Sequence, residues 1–225
     1  MTDGTGSLIT IVGIIGGTGK EGSALAKRWA HHGYKVLIGS RNAEKAVQVA
    51  AELNEELGGE YVSGMGNEEA VRQSTIVVLS VPYSAHRPTL EGLKPQLENK
   101  ILVDITVPLV PPKVAHVHLP EGKAASLEAQ AIVGESVKVV AAFQCISYIK
   151  LRDLTAPIAS DVLVCGDDVD AKAEVIKLVE AASMRGYDAG PLVNAIAAES
   201  LVPVLISINK KYGVKHAGIR ITGIE

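Results

Sequence analysis

Aromatic residues are scarce in this 225-residue chain: one Phe, one Trp and six Tyr make up 4% of it, although 47% is hydrophobic. The interior must therefore be built from Val, Ile, Leu and Ala, with Trp29 and Phe143 as single large pieces. Cysteine is scarcer still. Cys145 and Cys165 form no C-x-x-C pair, which excludes a disulfide framework and a thiolate zinc site and predicts two buried thiols in a reducing compartment. No excess of positive charge exists either, because 22 basic against 25 acidic residues leave a net charge of −3. General nucleic-acid binding, which rests on attraction to phosphate, is disfavoured. The glycines and prolines are scattered, so collagen-like and low-complexity chains are excluded as well. The start, Met1 to Ser7, carries an acid where a secretory leader carries bases, and the apolar run Leu8 to Ile15 breaks at Gly16-Gly17. A second run, Leu201 to Ile208, contains Pro203 and falls far short of the ~20 residues that cross a bilayer. Together these features predict a cytoplasmic protein with no membrane partner.

What is present is alternation. Short β-branched runs at 9–15, 35–39, 60–63, 75–80, 100–104, 137–142, 161–164 and 184–188 are separated by stretches of helical period at 19–32, 42–57, 66–73, 85–98, 125–134, 169–182 and 192–212. Runs such as Thr75-Ile-Val-Val-Leu79 are apolar throughout, as parallel strands covered on both faces must be. The pattern predicts an α/β protein with a parallel sheet. The proline- and histidine-bearing stretch Pro108–Pro120 interrupts the rhythm. It divides the chain into a core, 1–110, and a remainder, 111–225, that packs back on the core as a helical cap or dimer surface.

The sharpest local signal is Ile11-Val-Gly-Ile-Ile-Gly-Gly-Thr-Gly-Lys-Glu-Gly22, where Gly17, Gly19 and Gly22 form G-x-G-x-x-G between a strand and a helix. In that pattern the glycines serve a tight turn, close approach to a pyrophosphate and close packing of helix on strand. Glu21 follows Lys20 where a phosphate loop of the Walker type needs Ser or Thr for magnesium, which excludes that alternative. At the end of the second strand, where an acid would hold a ribose 2′-hydroxyl, stand Ser40 and Arg41, with Lys45 one turn later. A hydroxyl and two cations there predict NADP(H) over NAD(H), since Arg bonds a phosphate bidentately.

Absences also shape the chemistry. No G-x-S-x-G, no H-E-x-x-H and no nucleophile spacing occurs, and the pairs His31-His32 and His116/His118 lack a matched carboxylate, so no metal ligands and no catalytic acid–base pair are assigned. Hydride transfer, achieved by positioning rings, needs neither.

Several segments together resemble one family, the NADPH-dependent reductases of the 8-hydroxy-5-deazaflavin coenzyme F420: Ile15-Gly-Gly-Thr-Gly19, Ile38-Gly-Ser-Arg41 with Lys45, Val81-Pro82, Val107-Pro108, Val164-Cys-Gly-Asp-Asp168, Asp188-Ala-Gly-Pro-Leu192 and His216-Ala-Gly-Ile-Arg-Ile-Thr-Gly223. The resemblance spans nearly the whole chain. It implies a Rossmann-type doubly wound parallel sheet with a small C-terminal α/β extension, NADP(H) and F420 as the small-molecule partners, and a homodimer. It also implies a pyrophosphate loop at Thr18 to Glu21, a 2′-phosphate site at Ser40, Arg41 and Lys45, and nicotinamide contacts at Val81, Pro82, Val107, Pro108 and Leu109. The sequence departs from the pattern at Gln144, where many members have His, and at Tyr148, which replaces a smaller residue. Alternation over 216–223 predicts an edge strand that closes on the coenzyme or a partner subunit. The rival readings are a Rossmann reductase of a small carbonyl or imine, for which Tyr83 and His86 would be the proton donors to consider, and a soluble ferric-reductase-like or NADP-sensing module.

Overall fold

The computed structural model describes residues 10–224. The opening segment Met1–Ser7 and the start of the first predicted strand at Ile9 lie outside them. Eight strands, β1 (Ile11–Ile15), β2 (Lys35–Ser40), β3 (Val62–Gly66), β4 (Ile76–Leu79), β5 (Ile101–Asp104), β6 (Lys138–Ala141), β7 (Asp161–Gly166) and β8 (Arg185–Asp188), form one sheet in the order 3-2-1-4-5-6-7-8. All neighbouring pairs are parallel except β6 with β7. The parallel sheet expected from the apolar runs is therefore mostly, not wholly, parallel.

Helices cover both faces. On one lie α1 (Lys20–His31), α2 (Ala43–Leu57), α6 (Tyr148–Arg152) and α7 (Val169–Ala181), packed over Val12, Ile14, Val36, Val78 and Val164. On the other lie α3 (Asn67–Gln73), α4 (Tyr83–Leu97) and α5 (Ala125–Val133), packed over Ile15, Leu37, Leu79 and Leu102. Successive strand residues thus feed opposite cores, the period-two rule of a sheet buried on both sides. Trp29 is fully buried in the first core, its indole N–H donating to the Leu178 carbonyl (2.8 Å) and its ring edge-on to Phe143 at 5.7 Å. A single large ring thereby joins α1 to α7 and to the loop after β6.

Four features differ from the sequence expectation. β3 runs over Val62–Gly66, later than 60–63, because Asn54 of α2 accepts the Tyr61 and Val62 N–H groups and holds the earlier residues as a turn. α6 is not anticipated; five residues are too few to show a period, and only the Ser147 cap marks it. The stretch 216–223 is no strand. It is tied instead through Asp161, whose N–H donates to the Ile219 carbonyl and whose carboxylate accepts from the Ile221 N–H, and through the Asn209 carbonyl of its amide side chain, which accepts from Ala217 N–H. The last helix has the expected bounds, a 3-10 turn, Leu192–Asn194, leading into α8 (Ala195–Tyr212), but where the run 201–208 alone is too short to span a bilayer, the whole of Leu192–Tyr212 is long and apolar enough to cross one by length and composition. Its protein-facing side includes the buried Glu199, which accepts from the Ala125 and Ser126 N–H groups at the start of α5 (2.7 and 3.1 Å).

Candidate active site

The carboxyl ends of β1, β2, β4 and β5 converge where the strand order reverses, the place at which open α/β sheets form their crevice. The β1–α1 turn forms it. Gly16 takes a positive φ of +78°, so the left-handed turn position is Gly16 and not Gly17, the first glycine of the recognised triplet. Gly17 is needed for contact: a Cβ there would lie 2.9 Å from the Ile14 carbonyl oxygen. A Cβ on Gly22 would lie 2.8 Å from the Gly17 Cα, which explains the third glycine by helix–strand packing. Gly19 is different, since its Cβ would meet only the Gly16 carbonyl oxygen at 3.2 Å and otherwise enter open space.

That open space has two lobes. The first, about 600 Å³, is lined by Gly16, Thr18 and Gly19, by Ser40, Arg41, Asn42 and Lys45, and by Asn67, Ser80, Val81, Pro82, Ala85 and Thr89. The second, about 500 Å³, is lined by Gly19, Lys20 and Glu21, by Ser80–Ser84, and by Ile105, Thr106, Val107, Leu109, Pro111 and Val114. They share Gly19, Ser80, Val81 and Pro82. Of the residues singled out in the sequence, Thr18, Gly19, Ser40, Arg41 and Lys45 meet in the polar lobe, and Gly19, Lys20, Glu21, Val107 and Leu109 in the apolar lobe, with Val81 and Pro82 in both. Gly17, Gly22 and Pro108 line neither. Nor, among the described residues, does any after Val114, including Gln144, Tyr148 and the stretch 216–223.

Local chemistry fits a phosphorylated dinucleotide. Helix α1 begins at a glycine cap with no side-chain hydrogen bond, so its first-turn N–H groups are free to face an anion, whereas α2 is capped by Asn42 and α7 by Asp168. The Ser40 hydroxyl oxygen accepts the Asn42 N–H at 3.1 Å, which fixes the corner. Arg41 and Lys45 are exposed and make no ion pair among the described residues. Two cations aimed at a cleft without a carboxylate partner suit a 2′-phosphate. The buried Asn67 Oδ1 in the same lobe has no partner, a further polar atom awaiting one. Sequence reasoning did not select Asn67, Ser80 or Thr89, because they come from elements far apart in the chain and carry no motif.

Around the apolar lobe the titratable groups are few. The Tyr83 hydroxyl donates to Glu128 (2.8 Å), and burial together with that carboxylate pushes its pKa up to about 12. Behind the wall, His86 Nε2 lies 2.7 Å from Asp104 Oδ2, both side chains buried. Burial opposes the charged form of His86, but the hydrogen bond and charge of Asp104, with Glu128 and Glu199 beyond, raise its pKa overall. Asp104 also accepts the Thr106 N–H (2.9 Å), and its carbonyl accepts from Gln144 Nε2 (2.9 Å). The pair thus fastens α4, β5 and the loop after β6 together; the Tyr83 proton is committed to Glu128, and His86, though its Nδ1 is buried without a partner, does not line the lobe.

A doubly wound sheet whose first strand–helix turn opens such a two-lobed crevice defines a Rossmann-type nucleotide-dependent oxidoreductase as the class. Comparison with known proteins narrows it. The family described as "NADP oxidoreductase coenzyme F420-dependent" matches residues 11–108. F420-dependent NADP reductases of Methanocaldococcus jannaschii and Methanothermobacter marburgensis are each 38% identical to the chain, over 95% of it and over 99% and 98% of their own lengths. A crystal structure from an Arthrobacter species superimposes with a TM-score of 0.78 at 25% identity, covering 94% of this chain and 99% of that one. The chain belongs to the family of F420-dependent NADP reductases.

Proposed function

We propose that this protein transfers a hydride reversibly between NADP(H) and the deazaflavin coenzyme F420. The observation that carries it is the meeting of a cationic lobe and an apolar lobe at Gly19 and Val81-Pro82. Such a crevice can hold phosphates at one end and stacked rings at the other. When bound, the two coenzymes supply the electron chemistry themselves, by hydride exchange between ring carbons.

The residues do the rest. Thr18 to Glu21 and the α1 N-terminus hold the pyrophosphate; Gly17 and Gly22 let the loop and helix come close enough to do so. Ser40, Arg41 and Lys45 hold the 2′-phosphate. Val81, Pro82, Val107 and Leu109 form the hydrophobic walls that align the rings and exclude water, and Pro108 shapes the turn between the last two from behind. Residues 1–110 act as the nucleotide-binding core, and residues 111–225 as cap and dimer region. The exposed apolar side chains Val204, Ile208 and Tyr212 on α8 support a homodimer that covers this face, and with it a soluble, cytoplasmic protein without membrane or nucleic-acid partners. Within that dimer the segment 214–225 closes over the acceptor, so its deletion lowers deazaflavin turnover far more than NADPH affinity; Glu225 lies outside the described residues.

The test follows the visible absorbance of oxidised F420 after mixing with NADPH and enzyme. Bleaching dependent on both coenzymes is expected. Oxidation of NADPH by a small carbonyl or imine, with F420 unchanged, would overturn the assignment.

A further inference from the structure

Three titratable side chains line the apolar lobe: Lys20, Glu21 and Tyr83. Tyr83 is committed to Glu128 (2.8 Å). Lys20 carries its ammonium over the Tyr148 ring, 5.4 Å from the centroid. Glu21 alone has a carboxyl oxygen, Oε1, that is buried with no hydrogen-bond partner. Thr106 Oγ1, buried in the wall of the same lobe, has none either. Buried polar atoms without partners are rare unless something that binds completes them. Neither atom is explained by fastening the fold.

We propose that Glu21 holds the proton that accompanies the hydride, and that it loads this proton when the dinucleotide binds. The inference rests on the hydride-transfer reading above. Glu21 sits in the first turn of α1, where peptide N–H groups favour a carboxylate. A pyrophosphate seated at Gly19 takes those same donors and brings negative charge beside the carboxyl. Both effects drive Glu21 toward its protonated form.

Burial in the lobe wall already pushes the Glu21 carboxyl up to about 8, with the Tyr148 backbone N–H partly opposing and no charged side chain contributing. Near pH 8 the group is thus balanced between its two forms before the nucleotide arrives. In the direction of acceptor reduction, the Glu21 O–H bond breaks as the hydride passes from the nicotinamide C4–H bond to an acceptor ring carbon. The carboxyl proton goes to the acceptor ring, which has gained the electron pair; the O–H pair stays on Glu21, and a solvent proton restores the acid. In reverse, the Glu21 carboxylate takes the proton.

Calorimetric titration of NADP+ at pH 8, in two buffers of different ionisation enthalpy, reads the loading directly. The wild type is expected to take up about half a proton per site, and Glu21→Gln none. Hydride transfer to F420 followed against pH reads the use: the wild-type rate falls as pH rises through the Glu21 titration. Glu21→Gln loses about tenfold and this pH dependence, and Glu21→Asp recovers the dependence. Should Glu21→Gln fail to fold, the infrared carbonyl band of a protonated carboxyl must grow in the wild type when NADP+ is added. Equal uptake by wild type and Glu21→Gln, binding without uptake, or a band that does not grow would overturn the proposal and leave the hydride-transfer reading standing. Failure of folded wild type to bind NADP+ overturns both.

Discussion

Helix α1 carries a buried base and a half-buried acid about two turns apart, and the protein treats the two in opposite ways. Arg28 is 1% exposed and fully employed: its Nε donates to Leu151 O (2.8 Å), Nη1 to Ala182 O (3.3 Å), and Nη2 to the carbonyls of Lys150 (2.9 Å) and Asp153 (2.5 Å). Those carbonyls close the C-terminal ends of α6 and α7, where a cation is favoured. Burial lowers the Arg28 pKa and Asp153 opposes the change. Glu21, by contrast, keeps an orphaned oxygen against an apolar cavity. One end of the helix is finished by the fold; the other waits for a ligand. Burial of a charge alone therefore marks nothing, and its hydrogen-bond completeness separates architecture from function.

The contrast can be broken by mutation, and the largest effect is expected at the finished end. Arg28→Leu leaves several carbonyls without donors and should cost about 3–5 kcal/mol in denaturant unfolding, while the folded fraction keeps its NADPH affinity. Gly19→Val comes next. Its backbone is extended at φ −79° and ψ 166°, which valine accepts, so the fold survives while the side chain enters the crevice. NADPH affinity should drop at least about a hundredfold, roughly 2.7 kcal/mol, by fluorescence titration.

Glu21→Gln should move stability in the opposite direction to Arg28→Leu, by an amount that grows as pH rises above the ordinary carboxylate range and levels off above about 8. The folded carboxyl, raised to about 8, binds its proton more tightly than the unfolded one. Its favourable contribution is therefore complete below the ordinary carboxylate range and is lost as pH rises through about 8. The variant should gain about 1–2 kcal/mol over wild type at pH 9 and nothing at pH 4, as measured by paired melts. The smallest effect sharpens the site end alone: wild type should prefer NADP(H) to NAD(H) at least about tenfold, ~1.4 kcal/mol. Arg41→Ala should erase most of this without changing the melting temperature. Equal wild-type affinities for the two nucleotides would remove Arg41 and Lys45 from the 2′-phosphate site.

Much of this was legible in the chain. The alternation of apolar runs and helical stretches yields the sheet, because strands buried on both faces are apolar through their middles, with polar residues such as Asp104 and Asp161 only at their ends. The glycine loop and the Ser40–Arg41 corner are local, so spacing alone brings them out. What stayed hidden is either too short to have a period, like α6, or assembled from remote pieces, like Asn67 and Thr106 in the cavity walls. Alternation over 216–223 suggests a ladder, whereas the Asp161 side chain supplies a bond that a neighbouring strand would otherwise make. Gly16, absent from the recognised triplet, is distinguished only by a positive φ that no residue pattern separates from its neighbour Gly17. The Arg28 network was equally invisible, since its acceptors lie more than 120 positions away.

Trp29 gives the molecule a built-in optical gauge. It is the sole indole in the chain, sealed between α1, α7 and Phe143, and no part of it lines either lobe. Its emission therefore comes from one seam, the junction of the first-half helices with the later ones. A red shift signals water reaching that seam and so times its opening during unfolding. Compared with the loss of helical circular dichroism, it tells whether the two halves part before either one melts.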